Sequence, residues 1–80
     1  MLTYKVLMFA GLADACGSNS LEVHLGPASS VAALVIAAKE LCPALAKQTF
    51  RVAVNSCYVE ESAQLPDHAE VAFIPPVSGG

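Results

Sequence analysis

The feature that most constrains this chain is that it holds a single long amphipathic helix pattern. Val31, Leu34, Val35, Ala38, Leu41 and Cys42 recur at helical spacing and make one apolar stripe. Ser30 is a good N-cap residue in front of it, and Pro43 ends it. One helix cannot bury its stripe alone, and short strands with one apolar face need a cover. With 80 residues, about half the ~150 of an average domain, the chain has room for one core. The layout that satisfies both needs is α+β: a mixed sheet of four to five strands wrapped on one main helix, with a single sheet face covered.

The strands follow from period-two alternation. Residues 2–10 place Tyr4, Val6 and Met8 on one face and Thr3, Lys5, Leu7 and Phe9 on the other. Both faces turn apolar toward the end, which predicts an interior strand. Gly11–Cys16 reads as a short helical turn closed by Gly17 at positive φ. Residues 21–25 alternate, with Leu21, Val23 and Leu25 inward, until Gly26-Pro27 stops them. After the helix, Pro43–Lys47 adds a further turn. Residues 51–55 form a third strand with Val52 and Val54 on one face, Asn55-Ser56 a turn, and residues 57–59 a short fourth strand. A polar connector over residues 60–69 leads to the last strand, residues 70–74, in which Val71 and Phe73 alternate with Ala72 and Ile74. By parity Val71 and Phe73 face the helix, and Ala72 and Ile74 face away.

Composition excludes several classes. The chain is 55% apolar and 14% charged, the opposite of a disordered segment. A net charge of −3 gives no basic footprint, so neither nucleic acid nor an anionic membrane surface is an expected partner. No basic segment precedes an apolar run and a small-residue cleavage site, and the longest apolar run lies within residues 31–38, far short of the ~20 residues of a membrane span. A cytoplasmic chain is expected.

Cys16, Cys42 and Cys57 are odd in number and contain no Cys-x-x-Cys spacing. They read as reduced, half-buried side chains in a reducing compartment, with no metal site expected. Cys57 is the one candidate for a reactive thiol. His24 falls on the outward face of a strand and His68 in a turn, which suits plain exposed histidines. Asp14, Glu22, Glu60 and Glu61 form no acid–base pair.

The end of the chain carries the chemistry. Pro75-Pro76 follows a strong strand. Proline offers no ladder donor, and two in a row favour a stiff polyproline II segment. Residues 77–80 then reach about 13 Å. Gly79 and Gly80 lack Cβ and can thread a slot too narrow for side chains. Such a tip suits a carboxylate that enters another protein's active site. There, adenylation would activate it toward a sulfur nucleophile or a lysine amine.

The tail Glu70-Val71-Ala72-Phe73-Ile74-Pro75-Pro76-Val77-Ser78-Gly79-Gly80 resembles that of the molybdopterin synthase small subunit, the MoaD family of ubiquitin-like sulfur carriers. Val6-Leu7-Met8-Phe9-Ala10-Gly11-Leu12 is similar to that family's first strand and turn. Ser30-Val31-Ala32-Ala33-Leu34 is similar to its helix start, and Val52-Ala53-Val54-Asn55 with Tyr58-Val59 to its third and fourth strands. The resemblance implies a β-grasp domain over residues 1–76 and an extended tail over residues 77–80. It implies that Gly80, with Gly79 beside it, is adenylated and converted to a thiocarboxylate that delivers sulfur to cyclic pyranopterin monophosphate.

The implied partners are the synthase large subunit in a heterotetramer, an adenylating enzyme related to ubiquitin-activating enzymes, and a persulfide sulfur donor. The chain itself would not be an enzyme. No stably bound cofactor is implied, ATP being used by the activating enzyme. The implied partner-binding residues are Phe9, Tyr58 and Ile74 as an apolar patch, with Pro75, Pro76, Val77 and Ser78 in the tail. A carrier for thiamine or transfer-RNA thiolation, or a modifier joined to lysines, shares the same ending in outline. Two stretches depart from the family pattern. Ala13-Asp14 lacks a basic member, and Asp67-His68-Ala69-Glu70 lacks a glycine in the turn before the last strand.

Overall fold

The computed structural model describes residues 2–9 and 11–75. The elements are β1 (Leu2–Met8), α1 (Gly11–Cys16), β2 (Ser20–Leu25), α2 (Val31–Leu41), a 3-10 turn (Pro43–Lys47), β3 (Arg51–Val54), β4 (Cys57–Val59) and β5 (Val71–Ile74). The five strands form one sheet in the order β2-β1-β5-β3-β4. β1 and β5 run parallel at its centre, and every other pairing is antiparallel. This is the β-grasp arrangement: a mixed five-stranded sheet with one main helix on one face.

Strand parity sets the core. Tyr4, Val6 and Met8 of β1, Val23 of β2, Val52 and Val54 of β3, and Val71 and Phe73 of β5 are all buried on the helix side. They meet Val31, Leu34, Val35 and Ala38 of α2. Leu21 and Leu25 pack half-buried at the margin, inward as their alternation predicts. Phe50, just before β3, stacks on Phe73 with ring centroids 4.4 Å apart. That stack covers the end of the core where α2 stops.

The capping chemistry of α2 is as the sequence predicts, with one addition. Ser30 Oγ accepts from the Ala33 N–H at 3.2 Å, leaving fewer unpaired donors in the first turn. The Val31 and Ala32 N–H groups donate to the carbonyls of Ala63 and Glu61, both at 2.9 Å. The connector over residues 60–69 therefore closes over the start of the helix and buries Leu65 beneath it. Its polar composition hides this role.

Other expectations need correction. Leu41, assigned to the buried stripe, is 58% exposed. At 3.6 residues per turn it lies at the margin of the stripe, in the last turn of the helix. Cys57, expected to be half-buried, is exposed at the start of the edge strand β4. β5 begins at Val71 rather than at residue 70, because Glu70 pairs with the Asn55 turn instead. β1 ends at Met8, and residue 10, counted in that strand from sequence, lies outside the described residues. Gly17 closes α1 at φ 71° as expected.

Candidate functional site: the open sheet face and the exit of β5

The face of the sheet away from α2 is built from the other half of each strand. Register pairs Leu7 with Ala72, Ala72 with Ala53, and Ala53 with Tyr58, so these four form one row across β1, β5, β3 and β4. Arg51 pairs with Ile74 in the next row, and Phe9 follows β1 on the same side. The two central positions are alanines, and larger side chains stand around them. The result is a shallow groove of about 380 Å³ lined by Leu7, Phe9, Ala53, Tyr58, Ala72 and Ile74, with Ser56 and Glu70 at its polar end.

Phe9 is 48% exposed and Tyr58 is 53% exposed, while Ile74 is half-buried. The Arg51 guanidinium lies over the Tyr58 ring, 4.1 Å from its centroid. That contact places a cation against the ring of a groove-lining residue. The three residues implied by the resemblance as an apolar patch, Phe9, Tyr58 and Ile74, are thus brought together. Arg51 and the alanine floor, Ala53 and Ala72, were not singled out from sequence. Their adjacency depends on strand order, which alternation alone does not give.

β5 delivers Ile74 to this groove, and Pro75 follows at once, half-buried. Pro76, Val77, Ser78, Gly79 and Gly80 lie outside the described residues. Cys57 neighbours Tyr58 in sequence but, by the pleat of β4, sits on the opposite side of the strand.

The groove is lined mainly by apolar side chains. Among the described residues no charged or polar side chain is buried, and no group of His, Cys, Asp and Glu gathers to hold a metal. His24 Nδ1 lies 2.9 Å from Thr3 Oγ1 on the exposed edge of the sheet. His68 occupies a turn at φ 59°, which supplies the left-handed residue where the family pattern has glycine. Among the described residues two groups carry shifted acidity, and both lie away from the groove. Burial, with a smaller contribution from Asp67, pushes the Tyr4 hydroxyl up. Burial and the neighbouring Cys42 push the Cys16 thiol up to about 11. No helix among the described residues is long and apolar enough to cross a membrane.

Compared with known families, residues 6–80 match the ThiS family model. The chain belongs to the ThiS family. Small carrier proteins of this family are non-catalytic. The chain is a ThiS/MoaD-like sulfur carrier or a small protein modifier. Among solved structures, SAMP1 from Haloferax volcanii is similar at 25% identity, with a TM-score of 0.86 over 98% of this chain and 99% of that one. A structure described as molybdopterin converting factor, subunit 1, from Pyrococcus furiosus shares the fold at 24% identity, with a TM-score of 0.87 over 96% and 100%. So does a complex of subunits 1 and 2 of molybdopterin-converting factor from Helicobacter pylori 26695, at 16% identity and a TM-score of 0.69 over 99% and 100%.

Proposed function

We propose that this ThiS-family chain is the sulfur-carrying small subunit of a molybdopterin synthase. The observation that carries the reading is Pro75-Pro76-Val77-Ser78-Gly79-Gly80, placed directly after the strand that lines the apolar groove. The likeness in fold to molybdopterin-converting factor subunits supports it. The reading requires Gly80 to carry the free α-carboxylate.

The chemistry then runs as follows. In an adenylating enzyme, a Gly80 carboxylate oxygen attacks the α-phosphorus of ATP and pyrophosphate leaves. A persulfide sulfur attacks the acyl-adenylate carbon and AMP leaves. A second thiol cleaves the resulting sulfur–sulfur bond and releases the Gly80 thiocarboxylate. In the large subunit that sulfur passes to cyclic pyranopterin monophosphate, and hydrolysis returns the carboxylate. This chain supplies reach and docking: Phe9, Tyr58 and Ile74 seat it, residues 75–78 lead the tip in, and Gly79-Gly80 fit where side chains would not. Free thiols at Cys16, Cys42 and Cys57 suit a reducing, cytoplasmic setting.

A second reading is favoured by the likeness to SAMP1, a small archaeal modifier protein. In it the same acyl-adenylate is captured by a lysine amine, giving an isopeptide. Reconstitution separates the two. Thiocarboxylated protein is mixed with a synthase large subunit and the pterin precursor, and molybdopterin is assayed. Product is expected with the native chain and none after deletion of Gly80. Equal activity of the truncated chain would overturn the proposal, and high-mass adducts without product would favour the modifier.

A further inference from the structure

β2 stands at one end of the sheet, and among the described residues only β1 pairs with it. The phase of that ladder fixes which backbone groups are left over. The Met8 N–H donates to the Asn19 carbonyl at 2.9 Å, and Met8–Asn19 continues the β1–β2 register. Hydrogen-bonded pairs alternate along an antiparallel ladder, so Leu21, Val23 and Leu25 are the residues bonded to β1. Ser20, Glu22 and His24 turn their N–H and C=O groups outward, toward an unpaired edge. The Glu22 and His24 side chains are exposed. They stand on the open sheet face beside Lys5 and Thr3, their register partners.

This edge is complementary to itself. A two-fold axis at Val23 sets Leu21 opposite Leu25, and Glu22 opposite His24, of a second antiparallel copy. The Glu22–His24 pairs are also the ones whose outward backbone groups can exchange hydrogen bonds across the axis. Their side chains make a row that runs Lys5, Glu22, then His24 and Thr3 of the second copy. His24 Nδ1 lies 2.9 Å from Thr3 Oγ1, which leaves Nε2 for the facing carboxylate. The helix side of the edge is largely apolar: Val23, Ala37 and Leu41, with His24 and Glu40, line a depression of about 370 Å³. The axis at Val23 brings two such depressions together. Leu41, 58% exposed in the single chain, gains cover there.

We propose that β2 is a homodimer edge, through which two copies of this chain pair antiparallel and join their sheets into one. The groove over Ala53 and Ala72 and the exit of β5 lie beyond β1 from this edge. Dimerisation leaves them open and does not depend on the sulfur-carrier reading.

The test is sedimentation equilibrium of the full chain from about 10 μM to 1 mM. A shift toward twice the chain mass is expected with concentration. Over the same range, hydrogen exchange at the Glu22 and His24 amides should slow in the native chain. Glu22→Lys sets two cationic side chains opposite each other, and His24→Glu sets two carboxylates opposite. Each variant alone should weaken the dimer about 10-fold or more while keeping the native circular dichroism spectrum. An equimolar mixture of the two should form a heterodimer, and the double variant should regain the homodimer, because both restore opposite charges at every pair. A native chain that stays monomeric to about 1 mM overturns the proposal and leaves the edge to a different protein. So does a dimer whose Glu22 and His24 amides gain no protection, or whose strength the two charge reversals leave unchanged. Failure of the mixture and of the double variant to restore association overturns it as well.

Discussion

Asn55 and Glu70 hold each other through two hydrogen bonds. The Glu70 N–H donates to Asn55 Oδ1 at 3.0 Å, and the Asn55 N–H donates to the Glu70 carbonyl at 2.8 Å. The pair ties the turn between β3 and β4 to the entry of β5. It thereby fixes the register in which β5 carries Ile74 to the groove. Asn55 also sits at φ 51° and Ser56 at φ 70°, the two left-handed residues of a tight hairpin turn. Asn55→Ala loses both the acceptor and the tolerance for that backbone, and a loss of about 1–2 kcal/mol is expected. Asn55→Gly keeps the backbone freedom and should lose under about 1 kcal/mol. Urea unfolding of the two variants separates the contributions.

His68 holds the left-handed position of the turn that precedes β5. Its φ of 59° is a conformation that histidine adopts more readily than branched residues do. His68→Gly should leave stability within about 0.5 kcal/mol of native, since relief of strain and added freedom of the unfolded chain offset each other. His68→Val should lose about 1–2 kcal/mol. Thermal melts of both variants check the assignment, and equal effects would contradict it.

Ile74 is the groove residue nearest to the tail, and it is half-buried rather than part of the core. Ile74→Asp is expected to keep the native circular dichroism spectrum while weakening binding to the large subunit about 10-fold or more, equivalent to ~1.4 kcal/mol. Isothermal titration calorimetry reads the affinity. Unchanged affinity, or an unfolded variant, would count against a docking role for this face.

Alkaline pH should destabilise the fold. Tyr4 and Cys16 both hold their protons more tightly in the native state than free side chains do. The native chain therefore binds more protons than the unfolded chain once the unfolded groups titrate. Stability from this source is complete below pH ~8.5, the ordinary thiol value, and is lost as pH climbs through the raised native values. Tyr4→Phe should flatten the upper part of that decline. It should also lose about 0.5–1.5 kcal/mol at neutral pH, because the Tyr4 hydroxyl donates to the Pro66 carbonyl at 3.3 Å. Denaturant midpoints measured from pH 7 to 11 would show both effects.

The parts of this fold that are local chemistry were legible in the sequence. Ser30 and Pro43 bound the helix, and Gly17 stops α1. The alternation of Val71, Ala72, Phe73 and Ile74 sorts β5 into a core side and an open side. What was not legible depends on strand order. Nothing in residues 51–54 says that Ala53 lies beside Ala72, so the groove floor and the Arg51–Tyr58 contact emerge only when β3 is placed between β5 and β4. Leu65 was missed for a related reason. Its burial is imposed by the connector's hydrogen bonds to the start of α2, in a stretch whose composition reads as solvated. Leu41 failed in the other direction, since helical spacing says which side a residue faces and not how far the sheet extends beneath it.

The account's central claim is that the Gly80 carboxylate is the group that carries sulfur. It is tested most directly by the intact mass of the chain after incubation with ATP, its activating enzyme and a persulfide donor. The account predicts replacement of one oxygen by sulfur, resistant to dithiothreitol and mapped to the peptide ending at Gly80. Sulfur found instead as a dithiothreitol-labile persulfide on Cys16, Cys42 or Cys57, with Gly80 unaltered, would contradict it.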